Sequence, residues 1–406
     1  MNKGALQAKP PRVPEDNRPL SDKVPRMGLR WDIFCAVVDN YGDVGVSWRL
    51  ARVLAAGGRR SVRLWVDEPR AFARIRPGAD AALDAQRVEG VEVRRWGAPF
   101  PAVEPGDVVI EMFQCELPAS FVDAMAARAV KPRWVNLDYL SAEDWVRGCH
   151  RLPSPHPRLP LTKHFFFPGF EAGTGGLILE DGLLEARDAF LADRRAVTGF
   201  WRGFDLPPRV PGELRVSLFC YPRAPVVGLF DAWSRGAANV TCLVPEGPVA
   251  EALVQAFGGD LADGWIERGN ARFRVIPFTD QDRYDRLLWA CDVNFVRGED
   301  SFVRAQWAQH PFVWHIYPQG ENAHWIKLNA FLDRFCADYD PDAAAAMRDL
   351  WRAWNGIARP DALAEAWARF IAHRARFDVR AAQWAGRLAA LGGLPGQLAA
   401  FCEEPL

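Results

Sequence analysis

The chain has 406 residues, 49% of them hydrophobic, and its 50 basic side chains are balanced by 51 acidic ones. That length favours two domains with sizeable cores, and the charge balance excludes bulk electrostatic attraction to nucleic acid or to an anionic membrane. No apolar run approaches the ~20 residues of a membrane helix. The eight cysteines (Cys35, Cys115, Cys149, Cys220, Cys242, Cys291, Cys336 and Cys402) form no CxxC, which speaks for reduced thiols in a cytoplasmic compartment and against a disulfide frame or a zinc site.

Residues 1–30 carry prolines and charges without an apolar stretch and read as a disordered tail. Strand-like runs follow at WDIFCAVVD (31–39), SVRLWVD (61–67), VEVRRW (91–96), DVVIEMF (107–113) and RWVNLDYL (133–140), with helix-like segments at 46–57 and 118–128. This alternation predicts βαβ units on a parallel sheet. The Pro-, His- and aromatic-rich stretch 154–177 reads as a long loop, and its aromatics 164–176 fit either an acceptor contact or a hydrophobic bridge between domains. One helix is expected at 180–203, then a proline-rich linker, DLPPRVPG (205–212).

The alternation restarts with strands at 214–221, 239–247, 271–278, 292–298 and 311–318 and helices at 224–236, 248–257, 281–290, 301–309 and 323–337. Helices at 341–356, 361–391 and 395–402 close the chain. The reading is an α/β protein of two Rossmann-like, doubly wound domains facing across a cleft. The first spans 31–205, the second 206–384, and a C-terminal helix at about 385–406 returns to the first. Ligands of such sheets lie outside the carboxyl ends of the strands, so polar residues there are the candidates.

The first such end is VVDNYGDVGVSWRLA (37–51), with Asp39, Asn40, Tyr41, Gly42 and Asp43. Gly42 and Gly45 argue against a helix through this segment, so both acids are expected on a loop. Asp43 reads as a helix cap or a catalyst, and Asp39 as a turn former or a partner for a cationic group. There is no GxGxxG, and acids would repel a pyrophosphate, which disfavours a dinucleotide oxidoreductase. In VRGEDSFVRAQWA (296–308), Arg297, Gly298, Asp300 and Ser301 at a strand–helix junction suit a phosphate, and Glu299 suits sugar hydroxyls. Phe219 and Tyr221 of SLFCYPR (217–223) share a strand face; core packing weighs more for Phe219 than for Tyr221. Gln281 and Tyr317 leave the strands on either side.

A nucleotide in the second half and carboxylates in the first suit a glycosyltransferase with a nucleotide-sugar donor. Arg297, Tyr317 and helix N-termini would stabilise the leaving diphosphate, and an acid would serve as base, with no metal or other cofactor required. An epimerase or a small-molecule glycosyltransferase on the same fold is the alternative, and a non-catalytic binding module the third reading.

WDIFCAVVDNYGDVGVSWRLAR (31–52), LWVDE (64–68), WVNLDYLSAEDWV (134–146), FFFPGFEAGTGGL (165–177), SLFCY (217–221), YDRLLWACDVNFVRGEDSFVRAQWA (284–308) and PFVWHIYPQGENAH (311–324) resemble the bacterial protein-arginine rhamnosyltransferases of translation elongation factor P, the EarP family. The resemblance runs from about residue 31 to the C-terminus. It implies a GT-B fold, dTDP-β-L-rhamnose as donor, an arginine at a loop tip of elongation factor P as acceptor, inversion at the sugar, and activation of the factor for ribosomes stalled at polyproline. It further implies Asp43 as general base, Asp39 and Glu299 as further catalytic acids, and Phe219, Tyr221, Gln281, Arg297, Gly298, Asp300, Ser301 and Tyr317 as donor-site residues.

Overall fold

The apolar runs form strands buried on both faces, as parallel sheets require: VVIEM (108–112) and LRVSL (214–218) are buried at every position. The computed structural model describes residues 28–39, 41–258, 264–359 and 362–404, so most of the expected tail (1–27) and Asn40 lie outside the described residues.

The first sheet comprises β1 (Arg30–Cys35), β2 (Ser61–Val66), β3 (Ala85–Val88), β4 (Val91–Arg95), β5 (Val108–Met112), β6 (Arg133–Leu137), β7 (Pro153–Pro155) and β8 (Thr162–Phe166), in the order β3-β4-β2-β1-β5-β6-β8-β7. The second comprises β9 (Leu214–Leu218), β10 (Val240–Pro245), β11 (Trp265–Arg268), β12 (Ala271–Ile276), β13 (Val293–Arg297) and β14 (Phe312–His315), in the order β11-β12-β10-β9-β13-β14. Pairing is parallel except at the edge pairs β3–β4, β7–β8 and β11–β12. In each sheet the strand order reverses beside the first strand, between β1 and β5 and between β9 and β13. The loops after β1 and β13 therefore sit at the two switch points, where such sheets take ligands. Two doubly wound domains meeting in this way constitute the GT-B fold.

Several expectations need correction. The helix expected from residue 46 begins at Gly42, so Asp43 lies in its first turn and not on a loop. The stretch 154–177 is not all loop, since Thr162–Phe166 is strand β8. Within it Phe170 packs among the rings of Phe302, Phe331 and Trp384, which makes it a bridge into the second core. The expected helix 180–203 is two, Leu183–Ala192 and Arg194–Arg202, because Asp193 turns extended and its carboxylate caps the second. The helix expected at 361–391 also divides, into Ala362–Ala372 and Arg374–Ala390.

The domain boundaries shift for the same packing reasons. Phe190 packs against Trp289, and Trp201, Phe204 and Leu206 are buried with Leu243, Ile276 and Leu287. The chain thus joins the second domain before the proline-rich linker at 205–212. Near the C-terminus, Trp384, Ala385 and Leu388 pack in the second core, whereas Leu394, Leu398, Phe401 and Cys402 pack in the first. The return crossing falls at Leu391–Gly393, later than residue 385, where the apolar face of one helix ends and the next begins.

Buried charge ties the domains together. Arg49, on the helix Gly42–Ala55, donates from Nη1 and Nη2 to Asp285 at 3.1 and 3.0 Å and from Nε to Asp300 at 2.7 Å. Arg304 donates to the same Asp285 at 3.0 and 2.7 Å and to Glu180 at 2.6 Å. Coulombic attraction to Asp285, Asp300 and Glu180 outweighs the desolvation of Arg49, and the two arginines hold Glu180 at about 2, well below a usual carboxylate. Breaking such a buried set by deleting one member strands the others. Asp285→Ala is therefore expected to cost about 3–5 kcal/mol, read as a lower thermal midpoint; an unchanged midpoint contradicts this role for the cluster.

Candidate active site

Strand β1 delivers the chain into a bend closed by the Gly42 amide donating to the Asp39 carbonyl at 2.7 Å. The helix Gly42–Ala55 follows at once, and the carboxylate of Asp43 folds back over the bend. Its Oδ2 accepts from the amides of Val38 and Asp39, each at 2.8 Å. Asp43 is buried, and desolvation pushes its carboxyl above the usual range, partly offset by these two amides. Its other oxygen accepts no hydrogen bond from a described residue, and Asp43 lines a cavity of about 170 Å³. The side chain thus shapes the bend with one oxygen and leaves the other available.

The opposite wall comes from the second domain. After β13 the chain turns through Gly298, whose φ is +60° and where a Cβ would lie 2.8 Å from Asp39 Oδ2. Only a residue without a side chain permits that approach. Asp39 Oδ2 accepts from the Tyr221 hydroxyl at 2.7 Å. Burial, reinforced by the Asp39 charge, raises the Tyr221 pKa and keeps the phenol a donor. Glu299 Oε2 accepts from the Leu140 amide of the first domain at 2.9 Å. Burial pushes the Glu299 carboxyl up to about 8; the charges of Asp43 and Asp138 add to the rise, and the Leu140 amide and Lys327 oppose it. Part of Glu299 still reaches the cleft, so near neutral pH it presents a carboxylic acid able to donate a hydrogen bond.

Asp39 and Gly42 separate this cavity from a second one of about 80 Å³, lined by Tyr41, Phe219, Phe278, Gln281, Arg297 and Ser301 among others. The Arg297 guanidinium lies over the rings of Phe219 and Tyr221, 4.3 and 4.8 Å from their centroids. Gln281 is buried; its Nε2 donates to the Gly45 carbonyl at 3.2 Å and to Asp300 at 3.1 Å, while its Oε1 has no partner among the described residues. Gly45 allows this close approach, since a Cβ would lie 3.0 Å from Gln281 Nε2 and press on the amide. The Ser301 hydroxyl is engaged with the backbone of Arg297, accepting from its amide at 3.0 Å and donating to its carbonyl. An aromatic wall, a guanidinium and a helix N-terminus suit a nucleotide and its phosphates. The carboxyl-lined cavity suits a cationic group.

The structure brings the sequence candidates together around one divided cleft, with three changes of emphasis. Tyr221 is buried while Phe219 lines the cavity, the reverse of the expected weighting. Tyr317 lines the cavity of Asp43 and Glu299, not that of Ser301. Asp300 spends its carboxylate on Arg49 and Gln281 and so joins the domains as well as lining the cleft. Sequence reasoning missed Arg49, Asp285, Arg304 and Glu180. The available signal was an arginine inside each apolar helical run, GVSWRLA and SFVRAQWA. It also missed Tyr139 and Lys327, which line the larger cavity. Among the described residues no group of three or more His, Cys, Asp or Glu is placed to hold a metal ion.

Comparison with known proteins bears on this site. The family described as Elongation-Factor P (EF-P) rhamnosyltransferase EarP matches residues 31–403. The protein-arginine rhamnosyltransferase of Pseudomonas putida is 49% identical over 382 residues, 94% of this chain and all of that one. Its counterpart in Pseudomonas aeruginosa is 47% identical over 92% of this chain and 99% of that one. A solved structure reported as the structural basis for EarP-mediated arginine glycosylation of translation elongation factor EF-P superposes with a TM-score of 0.65 at 35% identity, covering 93% of this chain and all of that one.

The raised carboxyl of Glu299 has a consequence for stability. Between the unfolded value of about 4.3 and about 8 the folded state holds a proton that the unfolded state lacks. Stability therefore falls as pH rises through that window. Glu299→Gln is expected to flatten this dependence in thermal melts across the window; an undiminished slope would show the carboxyl ionised throughout.

Proposed function

The chain belongs to the elongation factor P rhamnosyltransferase family and is a protein-arginine rhamnosyltransferase, and from that premise we propose that it moves L-rhamnose from dTDP-β-L-rhamnose onto one arginine at a loop tip of translation elongation factor P. The observation that carries the reading is the divided cleft: a phosphate-suited chamber walled mostly by the second domain and a carboxyl-lined chamber between the two domains, meeting at Asp39.

The thymine and deoxyribose occupy the chamber walled by Phe219, Phe278 and Gln281, and the diphosphate faces Arg297 and the N-terminus of the helix Asp300–Ala308. The acceptor guanidinium enters the other chamber. A guanidinium is charged at neutral pH and a poor nucleophile while protonated. Asp39 and Asp43 neutralise and orient it. One of its nitrogens attacks the anomeric carbon as the bond from that carbon to the diphosphate oxygen breaks. The proton released from that nitrogen passes to the free oxygen of Asp43, and thymidine diphosphate leaves. A single displacement inverts the centre and needs no enzyme nucleophile. Protonated Glu299 donates to an oxygen of the sugar or the leaving group. The reaction involves no metal ion or other cofactor, and the modified factor is then competent on ribosomes stalled at polyproline.

Mass spectrometry of elongation factor P after incubation with protein and dTDP-rhamnose is expected to detect one added deoxyhexose on an arginine; an unmodified factor overturns the assignment. Asp43→Asn is expected to retain donor binding by calorimetry and to lose transfer by ~10²-fold or more, the usual worth of a positioned base. Turnover like that of the unaltered protein would remove Asp43 from that role.

A further inference from the structure

Beyond its acids, the larger chamber has an aromatic wall that the chemistry above does not use. Strand β6 ends at Leu137, and the next residues, Asp138 and Tyr139, are held in place by polar contacts. Asp138 Oδ1 accepts from the Tyr139 amide at 2.8 Å, and Oδ2 accepts from Gln114 Nε2 at 2.8 Å and Asn136 Nδ2 at 3.2 Å. Asn136 Oδ1 in turn accepts from the Gln114 amide at 3.0 Å. Phe113 and Gln114, just after β5, both adopt left-handed backbone, with φ of 54° and 59°. Consecutive non-glycine residues in that region are costly and persist where the surroundings enforce them.

This strained turn places Phe113 flat against Tyr139, with centroids 4.5 Å apart and planes 17° from parallel. Phe113 is buried, whereas Tyr139 is 37% exposed and lines the cavity beside Asp43 and Glu299. A half-exposed tyrosine backed by a second ring and lining a carboxyl-containing cavity is an arrangement suited to a planar cation. Guanidinium stacks on aromatic faces while its edge meets carboxylates.

We propose that Tyr139, supported by Phe113, is the platform on which the acceptor's guanidinium lies while Asp39 and Asp43 engage its edge. This deepens the function proposed above and rests on it. Tyr139 thereby contributes to selecting a planar cation as acceptor, and Phe113 positions it.

The test is steady-state kinetics with elongation factor P as the varied substrate, alongside donor affinity by calorimetry. Tyr139→Ala is expected to raise the acceptor KM on the order of tenfold, leave donor affinity unchanged, and be largely rescued in Tyr139→Phe, which keeps the ring. Phe113→Leu is expected to fall between them. Unchanged donor binding also certifies that each variant is folded, and Tyr139→Leu replaces the alanine variant if that one does not fold. An acceptor KM unmoved by loss of the ring, or a loss confined to donor affinity, overturns the platform while transfer by the unaltered protein still stands. Absence of transfer by the unaltered protein overturns both proposals.

Discussion

The two domains are held at a set separation by buried charge. Asp285 accepts four N–H groups, two from Arg49 and two from Arg304, and the remaining donors of these arginines reach Glu180 and Asp300. Arg49 belongs to the helix that opens with Asp43, and Asp300 opens the helix that follows the Gly298 turn. One guanidinium therefore links the segment carrying the acid to the segment facing the phosphate-suited chamber. A surface pair would hold that distance weakly; an arginine buried among several carboxylates resists displacement, because any shift leaves a charge unpaired in a dry interior.

Around this latch the remaining interdomain contacts use functional groups themselves. Asp39 accepts from Tyr221, and Glu299 accepts from the Leu140 amide. Each is a candidate for substrate contact that also rests on the opposite domain. The contacts keep these polar groups satisfied and fix their geometry at the domain boundary. Two carboxyls near each other also acquire different characters. Burial and neighbouring acids raise both, but Asp43 is supported by two backbone amides and Glu299 by one. The first is the better proton acceptor for a cationic guest, and the second the better hydrogen-bond donor.

The central strands were legible because buried parallel strands are near-continuous apolar runs, and β1, β2, β9, β10 and β13 lie where those runs predict. The short edge strands β3, β7 and β11 were not, since three or four half-exposed residues carry no such signal. The start of the first helix was misread because Gly42 and Gly45 suggest a loop. Both glycines instead serve close approach, Gly42 to Asp39 and Gly45 to Gln281 and Asp300 across the interface. Local propensity yields there to packing that no local pattern encodes. Candidate residues at strand ends could be named because such folds take ligands there. The latch was not, since its partners stand up to 251 residues apart. Tyr139 was quoted within a family motif, but only its stacking on Phe113 and its place beside Asp43 give it a role.

The central claim is spatial: the nucleotide diphosphate belongs to the chamber walled by the second domain and the cationic acceptor to the chamber beside the first domain's Asp39 and Asp43. A crystal structure with thymidine diphosphate tests it most directly. The expected result is the base against Phe219, the diphosphate facing Arg297 and the helix beginning at Asp300, and the cavity beside Asp43 still open. A diphosphate seated instead in the cavity between Asp43 and Tyr139 would contradict the division on which the chemistry rests.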